Sequence, residues 1–287
     1  MLLFFPAALA AAPPPIVGGE LAPDRPEVVL LSITNEADEY GAICSGTLVA
    51  PTWVLTAAHC VVSSGWVQVG HIYVTGAVEY TDASDSNTVE ALSWTPHEGY
   101  DAESSRDDLA MVELPTGFDA PAMPLADQAP REEDLGTLVR LVGFGSTSEL
   151  DTNPNPTRRT VEVPLYDYDD DLLYTFDPGA GKNACYGDSG GPVLRGYADG
   201  SAAVVGVMAY VSDCEGGGLG ASRIDQDIDW IAQFTDALSV HPEEEPDDSP
   251  PDDELQPVGC SCATGVNAMA WLAGLAALSA GFRRTTR

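Results

Sequence analysis

Short apolar runs separated by turn residues make up most of the chain between Ile16 and His241. These runs are rich in Val, Ile, Leu and Thr, and Gly, Pro, Asp and Asn interrupt them. Clear examples are residues 27–34, 46–49, 138–142 and 203–211. Strand-length runs at such short spacing predict an all-β sandwich or barrel and not alternating βαβ units. Between Asp225 and Leu238 the apolar positions recur at helical spacing, which predicts one closing amphipathic helix.

The first twelve residues form an apolar run that ends in three alanines. This pattern is typical of a secretory signal peptide with a small-residue cleavage site, although the usual basic residues at its start are missing. We therefore expect a signal peptide at 1–12 and a short propeptide at 13–15.

The composition changes abruptly after the predicted β domain, which we place at 16–240. Residues 241–258 are mostly Pro, Glu, Asp and Ser, which indicates an extended acidic linker without a core. Residues 259–287 then combine Cys260 and Cys262 with an apolar stretch at 263–282 and terminal arginines. The stretch is about long enough to cross a bilayer with the arginines on the cytoplasmic side. A buried core helix is the alternative.

This last segment resembles the C-terminal sorting tails of myxobacterial surface proteins, in which a cysteine motif precedes an apolar helix and arginines. The resemblance implies a sorting protease that cleaves near Cys260 and a lipid-type attachment to the membrane. A disulfide between Cys260 and Cys262, or their use between two molecules, is the alternative. The expected location is outside a bacterial cell, either secreted or anchored at the cell surface.

Charge and cysteine content narrow the possible functions. The 287-residue chain has a net charge of −33, which disfavours nucleic acid as a partner. A solvated acidic surface explains this charge more simply than a cationic partner does. The six cysteines indicate a few disulfides in an oxidising compartment, because their spacing does not suit zinc. The acidic stretch 82–87 does not have the ligand spacing of a calcium loop, so we expect no metal.

Two motifs carry the chemistry. A serine hydrolase needs a histidine to take the proton of the serine and a carboxylate to orient that histidine. His59 lies in Thr-Ala-Ala-His-Cys, after the apolar run 53–55. Ser189 lies in Gly-Asp-Ser-Gly-Gly-Pro, where the glycines permit a tight backbone that exposes the hydroxyl.

These motifs, together with Ile-Val-Gly-Gly at 16–19 and Asp-Asp-Leu-Ala-Met at 107–111, resemble the chymotrypsin and trypsin family. The order His, Asp, Ser along the chain is also that of the family. The resemblance covers nearly all of 16–237. It implies two six-stranded antiparallel β-barrels with a C-terminal helix and with the active site in the cleft between the barrels.

The resemblance also implies a role for each matching residue. His59 would be the general base, Asp108 rather than its neighbour Asp107 would orient it, and Ser189 would be the nucleophile. The backbone N–H groups of Gly187 and Ser189 would form the oxyanion hole. A free amine at Ile16 would pair with Asp188 to activate the enzyme. Cys44 would bond to Cys60 and Cys185 to Cys214, and no metal or organic cofactor would be needed.

Two departures from the family affect activation and specificity. Three prolines precede Ile16 where the family has Arg or Lys, so a different activating protease is expected. The resemblance places Asn183 at the base of the specificity pocket, and it places Val211 and Leu219 where the family has glycines that keep the pocket open. Ala209 and Tyr210 would line the substrate strand. The implied preference is for small or medium uncharged side chains.

The favoured function is therefore a serine endopeptidase that acts on proteins or peptides. One alternative is a binding protein that keeps the protease fold without activity, since fold does not guarantee function. Another is an esterase, which would use the same triad and oxyanion hole.

Overall fold

The computed structural model describes residues 16–65, 68–150, 155–177, 179, 181–238 and 240–241, and these residues form two antiparallel β-sheets. The predicted signal peptide, the acidic linker and the sorting segment with Cys260 and Cys262 lie outside the described residues. Within the described part of the chain, no helix combines the length and the apolarity needed to cross a membrane.

Seven strands form the first sheet: β2 (Val28–Thr34), β3 (Tyr40–Ala50), β4 (Trp53–Thr56), β5 (His71–Thr75), β6 (Thr88–Glu90), β7 (Ser93–Pro96) and β8 (Ala110–Glu113). Their order is β6-β5-β2-β3-β4-β8-β7, so this sheet is a half-barrel. Strand β2 is buried over its whole length between β3 and β5, and its sequence is apolar except for Ser32 and Thr34.

The second sheet contains β1 (Glu20–Leu21), β9 (Leu138–Gly143), β10 (Arg159–Tyr168), β11 (Leu172–Thr175), β12 (Pro192–Gly196), β13 (Ala202–Val211) and β14 (Leu219–Arg223). Pairing of β9 with β10 closes six of these strands into a barrel, and β1 adds to β10. In β10 the buried residues Val161, Val163 and Leu165 alternate with outward-facing ones, as a strand with one buried face requires. The expected two-barrel, chymotrypsin-like fold is confirmed.

In the part of the chain that the structure describes, the two α-helices are short, α1 (Ala58–Val61) and α2 (Ile228–Ile231), and two 3₁₀ turns lie at Tyr80–Asp82 and Glu132–Asp134. The helix expected across 225–238 is therefore confined to α2. Beyond it, the N–H of Gln233 bonds to the carbonyl of Trp230 and that of Phe234 to the carbonyl of Ile231. Both bonds reach three residues back, so the chain tightens into turns instead of continuing the α-helix.

A buried arginine at the start of β10 ties the two sheets together. The Arg158 guanidinium donates to the carbonyls of Gly76 and Ala77, at 2.8 and 3.3 Å, just beyond β5. Burial lowers the pKa of Arg158 to about 10, so the group stays charged at neutral pH. Burial also raises the pKa of Glu27, while the charges of Arg25 and Arg158 oppose that rise. Arg158 thus supplies both hydrogen bonds and charge to the boundary between the barrels.

Replacing Arg158 should destabilise the whole domain. Arg158→Ala removes two buried hydrogen bonds and one of the cations near Glu27, and should lower the free energy of unfolding by about 3 kcal/mol in urea titrations. Arg140→Ala is the matched control, because Arg140 bonds Glu162 at an exposed pair and its loss should cost less than about 1 kcal/mol. Equal losses in the two variants would contradict this assignment.

Candidate active site

The imidazole of His59 and the carboxylate of Asp108 are in direct contact. His59 lies in α1 after β4, and Asp108 precedes β8, which pairs with β4. The ring Nδ1 lies 2.6 Å from Asp108 Oδ2, and the backbone N–H of His59 donates to Oδ1 at 2.8 Å. Asp108 is buried, whereas about a third of the His59 side chain is exposed. One carboxylate therefore fixes both the ring and the backbone of the histidine.

The neighbouring Asp107 points elsewhere. Its carboxylate lies 3.9 Å from Nδ1 of His97, and it is half-buried and not paired with His59. Tyr100 also interacts with Asp108. Its burial, and to a smaller extent the charges of Asp108 and Asp101, raise the pKa of Tyr100 to about 12. Tyr100 is therefore a neutral phenol close to the Asp108 carboxylate.

The segment 187–191 packs its backbone against the first sheet. Ser45 N–H in β3 donates to the Ser189 carbonyl at 2.7 Å, and the Thr56 hydroxyl donates to the Ser45 carbonyl at 2.8 Å. Gly190 has a φ of 81°, and a Cβ added there would lie 2.1 Å from Thr56 Oγ1. A glycine is therefore required for both the conformation and the close approach.

Ser189 and His59 both lie close to one sulfur atom, Sγ of Cys60. Cys60 Sγ is 3.7 Å from His59 Nε2 and 3.8 Å from the carbonyl oxygen of Ser189. That sulfur belongs to the Cys44–Cys60 disulfide, and Cys185–Cys214 is the second disulfide. Both expected disulfides are present. The first of them helps to hold the histidine loop beside the serine.

Two backbone N–H groups beside Ser189 have no acceptor among the described residues, those of Gly187 and of Ser189 itself. Gly187 has a φ of 100°, in the region that glycine tolerates best. Its carbonyl accepts the hydroxyl of Ser45, so the peptide unit that follows it is anchored.

A cavity of about 220 Å³ opens beside Ser189. All four predicted wall residues line it, namely Ala209, Tyr210, Val211 and Leu219. Val211 and Leu219 face each other in the β13–β14 ladder. Asn183 is also predicted for this pocket, but it is not among the residues that line the cavity in the described part of the chain. Its side-chain amide donates instead to the carbonyls of Asp213 and Gly217, at 2.9 and 3.2 Å.

Ile16 and Asp188 are both fully buried. The Ile16 side chain is fully buried in the core that contains Leu141 and Val161. The Asp188 carboxylate is also fully buried and accepts hydrogen bonds from the N–H groups of Gly145 and Cys185. Burial outweighs these bonds and raises the pKa of Asp188 to about 7. Its charged form is therefore costly without a cation nearby.

The described residues offer no plausible metal centre. Ligand atoms of Cys44, His59 and Cys60 cluster within 4.8 Å, but both sulfurs are in a disulfide and cannot act as thiolates. In the acidic loop 82–87, the Asn87 side chain instead bonds the backbone of Ser84 and Asp82.

Sequence reasoning did not identify Ser45 or Tyr100. Ser45 is a fully buried hydroxyl in a strand of mainly apolar residues. That departure from the pattern was a signal, because buried hydroxyls are normally hydrogen-bonded. Its partners, however, lie about a hundred or more residues away in the chain.

Comparison with known proteins agrees with this architecture. Brachyurin of Leptuca pugilator is 30% identical over 67% of this chain and 87% of its own length. Glucanase inhibitor protein 3 of Phytophthora infestans is 27% identical over 77% of this chain and 88% of its own length. The HL collagenase structure at 1.7 Å resolution matches with a TM-score of 0.62 and 24% identity, covering 76% of this chain and 98% of the collagenase chain. The Trypsin family model matches residues 16–231.

The fold and the family model lead to the same conclusion: this chain belongs to the trypsin family of chymotrypsin-like serine proteases.

Proposed function

We propose that the chain is an exported serine endopeptidase in which His59, Asp108 and Ser189 act as the catalytic triad. The observation that carries this proposal is the Asp108 carboxylate, buried and bonded to His59 Nδ1, with Ser189 beside the same histidine at the mouth of a cavity. Two disulfides agree with an oxidising compartment outside the cytoplasm.

The geometry supports a mechanism through an acyl-enzyme. Because Asp108 accepts the Nδ1 proton, Nε2 of His59 is left with a lone pair for the Ser189 hydroxyl proton. Ser189 Oγ then attacks the peptide carbonyl, and the oxygen that becomes negative is bound by the N–H groups of Gly187 and Ser189. His59 returns the proton to the leaving amine. A water molecule releases the acyl group by the same steps, with His59 again as the base.

Activation would follow from release of the Ile16 amine. The Ile16 side chain already occupies the core of the second barrel, and the buried Asp188 carboxylate has no cation close by in the described structure. A new amine at Ile16 would supply that charge. Ile16 also has a φ of 40°, which is unfavourable for a β-branched residue, and cleavage before it would remove this constraint. The activating protease would have to cut after proline.

The cavity beside Ser189 favours small or medium uncharged side chains. Its side walls include Ala184, Met208, Val211 and Leu219, and the last two face each other and narrow it. The rim carries Tyr186 and Tyr210, both of them exposed and able to pack on a substrate chain.

A binding function without catalysis is the second candidate. It is favoured by the relatives named glucanase inhibitor proteins, which share 27–29% identity with this chain over most of their length. The complete His59–Asp108 pair beside Ser189 favours hydrolysis over this alternative.

Removing the Ser189 hydroxyl should abolish hydrolysis. Ser189→Ala should lower kcat/KM on a peptide anilide by at least about 10³-fold, because the nucleophile is lost. The matched control is Ser201→Ala, since Ser201 Oγ lies 2.8 Å from the Nε2 of another histidine, His241, and away from the cavity. Activity that survives in Ser189→Ala, or is lost in Ser201→Ala, would contradict the proposal.

The chain that has not been cut before Ile16 should lose stability as pH rises. The pKa of Asp188 is about 7 in the folded chain, whereas the ordinary value of an aspartate, which applies when the chain is unfolded, is 3.8. Its contribution is therefore complete below about pH 4 and is lost as pH rises through 7, because the buried group must ionise. Urea unfolding of the uncut chain across this range, in a Ser189→Ala background, checks the slope.

Asp188→Asn in the same background is the control, because it cannot ionise. Asp227 and Glu27 also have raised pKa values, so the difference between the two chains isolates Asp188. A slope that is unchanged in Asp188→Asn would show that Asp188 does not titrate in this range.

Opening the cavity should change side-chain preference. Val211→Gly and Leu219→Gly each remove a side chain from the cavity wall. Each should raise the ratio of kcat/KM between two substrates, one with Phe and one with Ala as the residue whose carbonyl is attacked, by roughly 10-fold or more. Val205→Gly makes the same change in β13 away from this cavity and should leave the ratio unaltered. A wild-type preference for Arg or Lys would contradict the assignment of the cavity.

A further inference from the structure

The Ser45 hydroxyl joins two loops that flank the nucleophile. It lies in β3 of the first sheet, and the residue is fully buried. Its Oγ accepts the backbone N–H of Phe144 at 3.0 Å and donates to the Gly187 carbonyl at 2.9 Å. These roles are fixed, because an amide N–H can only donate and a carbonyl can only accept. The same residue holds the Ser189 carbonyl through its own N–H.

Gly187 needs such restraints because it has no side chain. Both peptide units that meet at its Cα have a carbonyl held by a hydrogen bond, and the N–H of the second unit, that of Asp188, also donates to the Cys185 carbonyl at 3.1 Å. The Tyr186 carbonyl accepts the N–H of Ser146 at 2.8 Å, and the Gly187 carbonyl accepts the Ser45 hydroxyl. Since peptide units are planar, fixing a carbonyl also fixes the N–H of the same unit. The first of these bonds therefore aims the Gly187 N–H.

Ser45 is linked to both carbonyl restraints. One is its own bond to Gly187, and the other comes from Ser146, two residues after the Phe144 that Ser45 also holds. Gly145, between them, donates to the buried Asp188 carboxylate at 2.7 Å. One hydroxyl from the first barrel thus orders two loops of the second barrel around Gly187.

We propose that Ser45 is a positioning residue of the oxyanion hole, acting through the peptide units on either side of Gly187. This inference rests on the proposed function, in which the Gly187 N–H binds the negative oxygen. Loss of the Ser45 hydroxyl leaves the Gly187 carbonyl and the Phe144 N–H without their buried partner. The Gly187 N–H then loses its fixed direction. This loss weakens binding of the substrate carbonyl oxygen only when that oxygen becomes negatively charged in the transition state.

The test compares a charged transition-state mimic with a neutral ligand on the processed, active protein. The Ser189 oxygen adds to the carbonyl carbon of a peptidyl trifluoromethyl ketone, and the serine proton passes to His59. The ketone thus acquires a negative charge on its own oxygen. The corresponding peptidyl alcohol cannot do so. For Ser45→Ala we expect kcat and the affinity for the ketone to fall by roughly tenfold, with KM and the affinity for the alcohol within about twofold.

Three further variants complete the design. Ser45→Gly is a second variant without the hydroxyl and should show the same pattern, whereas Ser45→Thr restores a hydroxyl and should recover part of kcat. Ser222→Ala is the matched control, because Ser222 is a buried serine whose Oγ has no hydrogen-bond partner among the residues that the structure describes. It should change neither ligand's affinity.

The possible failures are distinguishable. An inactive wild-type protein that binds no ketone would overturn the proposed function and this inference with it. An active wild type whose Ser45→Ala variant keeps its kcat, or loses ketone and alcohol affinity equally, would overturn the role of Ser45 alone. Failure of both Ala and Gly variants to fold would also overturn it, because Ser45 would then support the fold and not the oxyanion hole.

Discussion

The close approach of segment 187–191 to strand β3 is the constraint on which the site depends. His59 and Asp108 lie next to strands β4 and β8 of the first sheet, whereas Ser189 precedes β12 of the second sheet. They meet because the Ser189 carbonyl accepts the N–H of Ser45. Gly190 has no side chain, which lets the segment approach Thr56 closely. A site shared between two barrels needs such a contact, since each barrel could otherwise be stable without placing its residues against the other.

Burial at this contact has an electrostatic consequence. Asp188 belongs to this segment and has both carboxylate oxygens bonded to backbone N–H groups, yet burial raises its pKa to about 7. A site organised around an uncompensated carboxyl is poised for a cation, and Ile16 is buried in the same barrel. Arg158 is a buried group of the opposite charge. Its guanidinium connects the two barrels by donating hydrogen bonds to backbone carbonyl oxygens. In a chain with a net charge of −33, these few buried charges matter more to the site than the acidic surface does.

Much of this structure could be predicted from the sequence, because its signals are local. Strand runs such as 203–211 and the motifs around His59 and Ser189 predict the fold and the residues that come together. The helix expected across 225–238 is shorter, since periodicity shows an apolar face but not where i−3 bonds replace i−4 bonds. The Ser45 contacts could not be predicted, because they join residues 99 and 142 positions apart. The amide of Asn183 likewise bonds carbonyls about thirty residues away that no local pattern identifies.

The central claim is that Ser189 is an activated nucleophile in a chain that begins at Ile16. A fluorophosphonate probe tests it most directly, because Ser189 Oγ would bond to phosphorus and displace fluoride only if a histidine takes its proton. Mass spectrometry of the labelled, exported protein then identifies the modified residue and the amino terminus. The account predicts phosphonylation of Ser189 alone, on a chain that starts at Ile16. Absence of label on a chain with that same amino terminus would contradict it and favour a binding protein with a protease fold.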